Sequence, residues 1–98
     1  MTFKVEKLAT AEAEISALTQ SQQNIIKNEY ETIENKGIEF VRVRSLQNQI
    51  FEIKSNEIRS LFKYQPGKII IIGVVFVKKT QKTPKEIIKL AKQRFKES

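Results

Sequence analysis

The sequence predicts an α+β fold, a small antiparallel sheet with two N-terminal helices and a basic C-terminal helix, in roughly the order β-α-α-β-β-β-α. Three observations predict it. Apolar residues recur at helical spacing in the first third of the chain, alternate with polar residues after Gly37, and form one unbroken run in "KIIIIGVVFV". With 98 residues, of which 40% are hydrophobic, we expect one domain over residues 1–98.

The N-terminal third predicts a short strand followed by helices. Phe3 and Val5 alternate with Lys4 and Glu6, which is typical of a strand. The apolar residues that then recur at helical spacing are Ile15, Leu18, Ile25, Ile26, Tyr30 and Ile33.

Polar residues in "LTQSQQN" interrupt that spacing, so we predict two helices. Thr10 is the expected N-cap of the first helix and Ser21 that of the second. Gly37, in "NKG", is expected as the C′ residue that ends the second helix. One continuous helix from Ala11 to Lys36 is the alternative.

The segments after Gly37 predict an antiparallel meander. "IEFVRVR", "QIFEIK" and "IRSLFKY" each alternate, and "SNE" and "QPGK" are turn sequences. The run "KIIIIGVVFV" is apolar on both faces, so it should lie inside the sheet with both sides covered, one of them by the N-terminal helices. Gly73 within it predicts a bulge or a close backbone approach.

The last element carries a helix start and two stripes of side chains. Thr83 fits the N-cap, Pro84 the first helical position and Glu86 the third, which together predict a capping box. The predicted apolar stripe is Ile87, Leu90, Ala91 and Phe95. A stripe of like charge, which costs roughly a few tenths of a kcal/mol per pair, is formed by Lys85, Lys89, Lys92 and Lys96.

Composition removes several function classes. Cysteine and histidine are absent, which excludes disulfides, thiolate chemistry and a Ser-His-Asp triad. The N-terminal "MTFKVEKLATAEAEIS" lacks the apolar core of a signal peptide, and no apolar run approaches the length of a membrane span. We therefore expect a cytoplasmic protein that contacts no membrane and uses neither a metal nor a cofactor.

The net charge of +7 is concentrated near the C-terminus. Residues 78–98 carry eight basic residues and two Glu, whereas residues 1–36 carry four Lys and six Glu. Such a gradient predicts a polyanionic partner for the C-terminal part. A solvated, Lys-rich helix is the alternative interpretation.

One stretch resembles a known family. "FEIKSNEIRSLFKY" and "GKIIIIGVVFVKKTQKTPKEIIKLAKQRFKES" are similar to the RelE/HigB-type toxins of bacterial toxin–antitoxin systems, and most similar to their phage-derived, HigB-like branch. The resemblance covers about half of the chain, from Ile50 to Ser98. It is tightest from Phe76 to Pro84, where the end of the strand, the lysines and the Thr-Pro pair coincide.

The resemblance implies a ribosome-dependent endoribonuclease, or mRNA interferase, that inhibits translation. Proteins of this family cut mRNA in the ribosomal A site and are neutralised by a cognate antitoxin, which is usually a helix-turn-helix protein in this branch. Cleavage by the RNA's own 2′-OH needs a base, stabilisation of the phosphorane and a proton for the leaving oxygen. Without His, a Lys can be the base only if burial or neighbouring cations lower its pKa.

The resemblance and this requirement together select the candidate residues. Lys78 and Lys79 are expected near the 2′-OH and the phosphate, and Arg59, which corresponds to the family's Arg in "YR", on the charge of the transition state. The residues expected to bind RNA or the ribosome are Lys82, Lys85, Lys89, Lys92 and Lys96, with Tyr64 as a candidate for stacking a base.

Each assignment has a structural alternative. Lys78 and Lys79 could end a strand in solvent, Arg59 could pair with Glu52 or Glu57, and Tyr64 could be a packing residue. The chain also departs from the family pattern: Val74 and Val75 precede "FVKK", where the family often has a His, Ile58 replaces its Tyr, and Phe62 lacks a hydroxyl group. A non-catalytic domain that binds RNA or ribosomes, or a toxin that has lost activity, is therefore the second hypothesis.

Overall fold

The computed structural model describes residues 1–98 and contains five strands and three α-helices. In chain order these are β1 (Lys4–Lys7), α1 (Ala9–Ser16), α2 (Gln20–Asn35), β2 (Arg42–Ser45), β3 (Phe51–Ser55), β4 (Ile58–Gln65), β5 (Ile69–Val77) and α3 (Lys85–Glu97), with a short 3-10 helix at Ile38–Phe40 before β2.

All five strands belong to one sheet in the order β1-β5-β4-β3-β2. Strands β2 to β5 form the predicted antiparallel meander, and β1 adds to the edge of β5 in parallel. The α+β class is confirmed. The sheet holds one strand more than the predicted order. It is mixed rather than antiparallel, because the last strand, β5, lies parallel to β1.

The N-terminal helices begin at residues other than the predicted caps. α1 starts at Ala9 after Leu8, so Thr10 lies inside the helix. α2 has Thr19 as its N-cap, in a capping box in which the Thr19 hydroxyl accepts from the Gln22 backbone and the Gln22 side chain accepts from the Thr19 backbone. The predictions for Thr10 and Ser21 are therefore wrong.

The prediction of two separate helices is confirmed, and the continuous helix is excluded by the break between Ser16 and Gln20. The Gln23 side chain stabilises this break by donating to the Leu18 carbonyl oxygen at 3.0 Å. Gly37 is the C′ residue as predicted. Its φ of 134° is a conformation that side chains rarely adopt, and its N–H donates to the Thr32 carbonyl oxygen at 3.0 Å.

Strand β5 is covered on both faces, as its apolar sequence predicts. On one face α1 and α2 enclose a core made of Ala11, Ile26, Tyr30, Ile33, Ile53, Ile58, Phe62, Ile70, Ile72 and Val75. On the other face α3 closes a smaller core made of Ile50, Leu61, Ile71, Val74, Ile88, Ala91 and Phe95. We call these surfaces of the sheet the α2 face and the α3 face.

Gly73 is both a bulge and a close approach, so both predictions for it are confirmed. Leu61 pairs with Val74 and Phe62 with Ile72, which leaves Gly73 as the extra residue on β5. A Cβ atom at Gly73 would lie 2.6 Å from two ring carbons of Phe95. Only glycine therefore lets α3 pack this close to the sheet.

The start of α3 differs from the prediction. Its N-cap is Pro84, no side chain caps it, and the helix begins at Lys85, so the predicted capping box of Thr83 and Glu86 is wrong. The buried residues of α3 are Ile88, Ala91 and Phe95, whereas Leu90 is exposed. The apolar stripe is thus rotated toward Ile88.

Gly73→Ala should destabilise the protein by about 1–3 kcal/mol, because the added methyl group overlaps the Phe95 ring and overpacks the α3 face. The measurement is urea unfolding. Phe95→Leu shortens the opposing side chain and serves for a double-mutant cycle. The losses of unfolding free energy in the two single variants should sum to more than the loss in the double variant. Additive losses would show that the contact with Phe95 does not explain why Gly is required.

Candidate functional site

A row of three cations crosses the α3 face of the sheet. Arg42 on β2 pairs with Lys54 on β3, and Lys54 pairs with Arg59 on β4. The neighbours of Arg59 on β4, Ile58 and Ser60, face α2, so by the alternation of a strand Arg59 belongs to the α3 face. Like charges directly opposite each other destabilise a sheet. A row of three therefore lowers the stability of the sheet unless a negative charge compensates it.

The row borders open space. Arg42, Lys54 and Arg59 also border a cavity of about 630 Å³ whose other walls come from Asn56 and from α2, so this cavity lies on the α2 side of the row and not over the α3 face. The acid in this cavity, Glu29, accepts a hydrogen bond from Ser55 at 2.6 Å. The three cations thus border a volume that a small polar group can enter.

Arg59 is held by backbone carbonyl groups rather than by acids. Its Nη1 donates to the carbonyl oxygens of Asn56 at 2.5 Å and Ile58 at 3.0 Å. Glu57 accepts from Gln22 instead, and the ion-pair partner of Glu52 is Arg44. The alternative interpretation, an ion pair of Arg59 with Glu52 or Glu57, is therefore wrong, and the charge of Arg59 is not neutralised by an acid.

Lys78 joins this group of cations where β5 ends. Its backbone N–H donates to the Glu57 carbonyl oxygen at 2.8 Å, and its side chain is half-buried. Partial burial is the main cause that lowers the pKa of Lys78 from its ordinary value of 10.5. The positive charges that lower this pKa further belong to Arg59, Arg44 and Lys54, while the negative charge of Glu52 opposes them.

The crowding that the sequence led us to expect at Lys78 thus has a different source. The neighbouring cations come from β2, β3 and β4, whereas Lys79 and Lys82 in the same loop are exposed. The fold brings Arg59 and Lys78 together, while the catalytic role of Lys79 stays a prediction.

The acid beneath these cations is Glu52, which is 0% exposed. The hydroxyl group of buried Thr83 donates to its Oε2 atom. Its Oε1 atom has no hydrogen-bond partner, and Arg44 Nε lies 4.0 Å from it. Glu52 therefore connects the sheet to the segment between β5 and α3.

The remaining candidates lie along α3. Lys85 and Lys89 are exposed, and Lys92 and Lys96 line a cavity of about 550 Å³ between α3, β4 and the β2–β3 turn. Lys63 and Tyr64 line the same cavity. Lys63 also lies 5.2 Å above the Phe95 ring.

Tyr64 combines the two interpretations that the sequence left open for it. Its ring packs against Phe3, Phe51 and Phe62 at centroid distances of 5.3, 4.9 and 5.3 Å, yet the residue is 41% exposed. Tyr64 is therefore a packing residue that stays partly exposed, and stacking of a base stays a prediction.

Sequence reasoning missed Arg42, Arg44, Lys54 and Lys63, which share the α3 face with Arg59. The signal that could have found them is the alternation of "RVR", "EIK" and "IRSLFK", once the register of the three strands is known. No group of three or more Asp, Glu, His or Cys side chains is placed to hold a metal ion.

Comparison with protein families places this chain. The model of the family described as phage derived protein Gp49-like matches residues 13–96. The chain belongs to this family. This match confirms the phage-derived part of the resemblance seen in the sequence. No curated protein sequence matches the chain at a significant level.

Solved structures show the RelE fold. The archaeal RelE–RelB complex from Pyrococcus horikoshii matches with a TM-score of 0.66 and 14% identity over 80% of this chain and 97% of that chain. The RelBE2 toxin–antitoxin complex from Mycobacterium tuberculosis matches with a TM-score of 0.63 and 11% identity, over 80% of this chain and 100% of that chain. The isolated Escherichia coli RelE toxin matches with a TM-score of 0.56 and 19% identity, over 91% of this chain and 97% of that chain. The structure also contains no helix with the length and apolar character that crossing a membrane requires.

The position of Lys78 among the strand cations predicts its titration. Its pKa, measured by NMR of the lysine side chain, should lie below 10.5, and Arg59→Gln should raise it because a repulsive charge is removed. Lys68→Gln, in the distant β4–β5 turn, is the matched control and should leave it unchanged. At a pH between the Lys78 pKa of the folded chain and the higher pKa of the unfolded chain, the unfolded chain binds more protons at this residue. The contribution of Lys78 to the free energy of unfolding should therefore increase as the pH rises through that interval. A wild-type pKa at or above 10.5 contradicts the assignment.

Proposed function

We propose that this protein is the toxin of a toxin–antitoxin system and acts in the cytoplasm as an endoribonuclease on ribosome-bound mRNA. The observation that carries the proposal is the gathering of Arg42, Lys54, Arg59 and Lys78 on one face, where they outnumber the single buried acid Glu52 at a cost in stability. An RNA phosphate supplies the negative charge that this face lacks.

The proposed chemistry uses Lys and Arg side chains for every step. The neutral form of Lys78, favoured by its lowered pKa, takes the proton of the 2′-OH group, which attacks the adjacent phosphorus and leaves a 2′,3′-cyclic phosphate. Arg59 binds the phosphate oxygens as charge develops on them, with Lys54 beside it. Protonated Lys79 gives its proton to the leaving 5′-oxygen. The reaction consumes no metal or cofactor.

The path of the RNA follows α3. Lys82 lies in the segment between β5 and α3, and Lys85 is the first residue of α3. Lys89, Lys92 and Lys96 continue along the exposed side of the helix. With a rise of about 1.5 Å per residue, Lys85 and Lys96 are separated by about 16 Å along the axis. The cavity at Lys92, Lys96 and Tyr64 then accepts a nucleotide downstream or upstream of the cut, with Tyr64 against the base.

The proposed partner is a cognate antitoxin. Two of the matched structures are described as RelE–RelB or toxin–antitoxin complexes, and the sequence resemblance favours an antitoxin of the helix-turn-helix type. Such an inhibitor neutralises the toxin by offering carboxylates to the cation cluster, or by covering α1 and α2 so that the complex no longer fits the ribosome.

A second candidate function is RNA or ribosome binding without cleavage. Ile58 and Phe62 occupy the positions of the family's aromatic hydroxyl groups, and both are fully buried in the α2-face core. No hydroxyl group from these positions can reach the cation cluster to relay a proton. The binding module and the nuclease share the same basic surface and differ only in the outcome on RNA.

Induced expression of the wild-type chain should stop growth, with phased cuts in ribosome-bound mRNA. The triple variant Arg59→Ala, Lys78→Ala, Lys79→Ala should be harmless and folded. Lys78→Arg separates the roles of this residue, because Arg keeps the charge but does not deprotonate. It should bind ribosomes normally and lose about 100-fold or more of the cleavage rate.

Equal toxicity of wild type and triple variant contradicts the site. Binding without cuts in the wild type supports the second candidate function instead. Co-expression of the adjacent open reading frame should restore growth and yield a stable complex. A harmless chain that no neighbouring product binds rules out the toxin.

The lysine stripe should contribute affinity without selecting sequence, because phosphate contacts carry no sequence information. Changing Lys85, Lys89, Lys92 and Lys96 to Gln should flatten the slope of log affinity for single-stranded RNA against log salt by up to about 3. The matched control changes four exposed lysines of the N-terminal third, Lys4, Lys7, Lys27 and Lys36, and should leave the slope nearly constant. Equal flattening by both variants would show that only net charge matters.

A further inference from the structure

Glu52 is an unusual member of the α3-face core. It stands between Arg44 on β2 and Leu61 on β4, is 0% exposed, and keeps one carboxyl oxygen without a hydrogen bond. A buried acid with incomplete hydrogen bonding costs free energy, and an apolar residue of similar volume is often at least as stable there. Packing alone therefore does not explain why this position holds an acid.

The segment between β5 and α3 has few connections to the sheet. At its start the Lys78 N–H donates to the Glu57 carbonyl oxygen, and within it the Thr80 hydroxyl donates to the Lys82 carbonyl oxygen at 2.7 Å. The bond from Thr83 to Glu52 is the one other hydrogen bond that joins this segment to the sheet. The segment carries Lys79 and Lys82, and no secondary structure holds it in place.

We propose that Glu52 is a positioning residue that acts in two ways. Through the Thr83 hydroxyl it anchors the segment that carries Lys79 and Lys82, and its negative charge balances the cations gathered around Lys78. The anchoring is a property of the folded chain alone. Its consequence for RNA rests on the proposed function.

The two actions of Glu52 can be tested separately, because one needs its negative charge and the other needs only its acceptor oxygen. The charged and titratable groups that act on Lys78 are Glu52 on β3, Arg44 on β2, Lys54 on β3 and Arg59 on β4. Among these, Glu52 is the group whose charge favours the protonated lysine. The tether, by contrast, needs only an acceptor oxygen for Thr83, which an amide also supplies.

Two variants distinguish the charge from the tether. Glu52→Gln removes the charge and keeps an acceptor for Thr83, so the pKa of Lys78 should fall below its wild-type value while the segment stays ordered. Thr83→Val removes the tether and keeps the charge. Its backbone order parameters at Lys79 and Lys82 should fall from about 0.85 to below about 0.6, while the Lys78 pKa stays close to that of the wild type.

The conservative variant Thr83→Ser retains the hydroxyl group and should restore the order of the segment. Thr32→Val is the matched control, because the Thr32 hydroxyl bonds only to the Asn28 carbonyl oxygen of its own helix. Both NMR readouts are made on the folded protein without RNA, so a moderate loss of stability in Glu52→Gln does not prevent them. If Glu52→Gln does not fold, the variants Thr83→Val and Thr83→Ser still test the tether.

The proposal is overturned if Thr83→Val leaves the segment as ordered as in the wild type, or if Glu52→Gln leaves the pKa of Lys78 unchanged or raises it. Cleavage of ribosome-bound mRNA is a separate readout. Thr83→Val should lower it and Thr83→Ser should restore it. If the wild-type chain cuts no RNA, the nuclease function fails while the NMR result on Glu52 still stands or falls by itself.

Discussion

Burial of β5 on both faces is the constraint on which the rest of the structure depends. A strand that is apolar on both sides needs a cover on each side, and a chain of 98 residues has three helices to supply both covers. α1 and α2 take one face, and α3 takes the other, where Gly73 allows the Phe95 ring to approach the backbone. α3 leaves the row from Arg42 to Arg59 open, so the same arrangement creates both the core and the basic surface.

The cation row is tolerated because the core is stabilised elsewhere. Each pair of like charges across a sheet opposes folding by roughly 0.2–1 kcal/mol, which is small beside the burial of side chains such as Phe62 and Ile72. In this chain without histidine, partial burial is the main cause that lowers the pKa of Lys78, and crowding of this kind lowers it further. The repulsion that weakens the sheet therefore also contributes to the reactivity proposed for Lys78.

Features encoded by neighbouring residues were predictable, and those that depend on tertiary contacts were not. The two covered faces of β5 and the role of Gly37 follow from local pattern and backbone conformation. The glycine inside β5 marks the position of the bulge, but its neighbour Phe95 is known only from the folded structure. The membership of Lys54 in the site depends on strand register, which alternation alone does not determine. Leu90 was placed in the core because the sequence does not reveal which side of α3 meets the sheet.

Thr83 shows how a tertiary partner overrides a strong local motif. A hydroxyl group at an N-cap accepts from an exposed backbone N–H and contributes about 0.5–2 kcal/mol. Donation to a buried carboxylate gains about 1.5–3 kcal/mol and also meets part of the hydrogen-bonding need of an acid that has no access to water. The second contact is the stronger one, so Thr83 turns toward the sheet and α3 starts uncapped at Lys85. The Thr-Pro pair that looks like a helix signal is, in the folded chain, the point where the lysine segment is attached to the basic face.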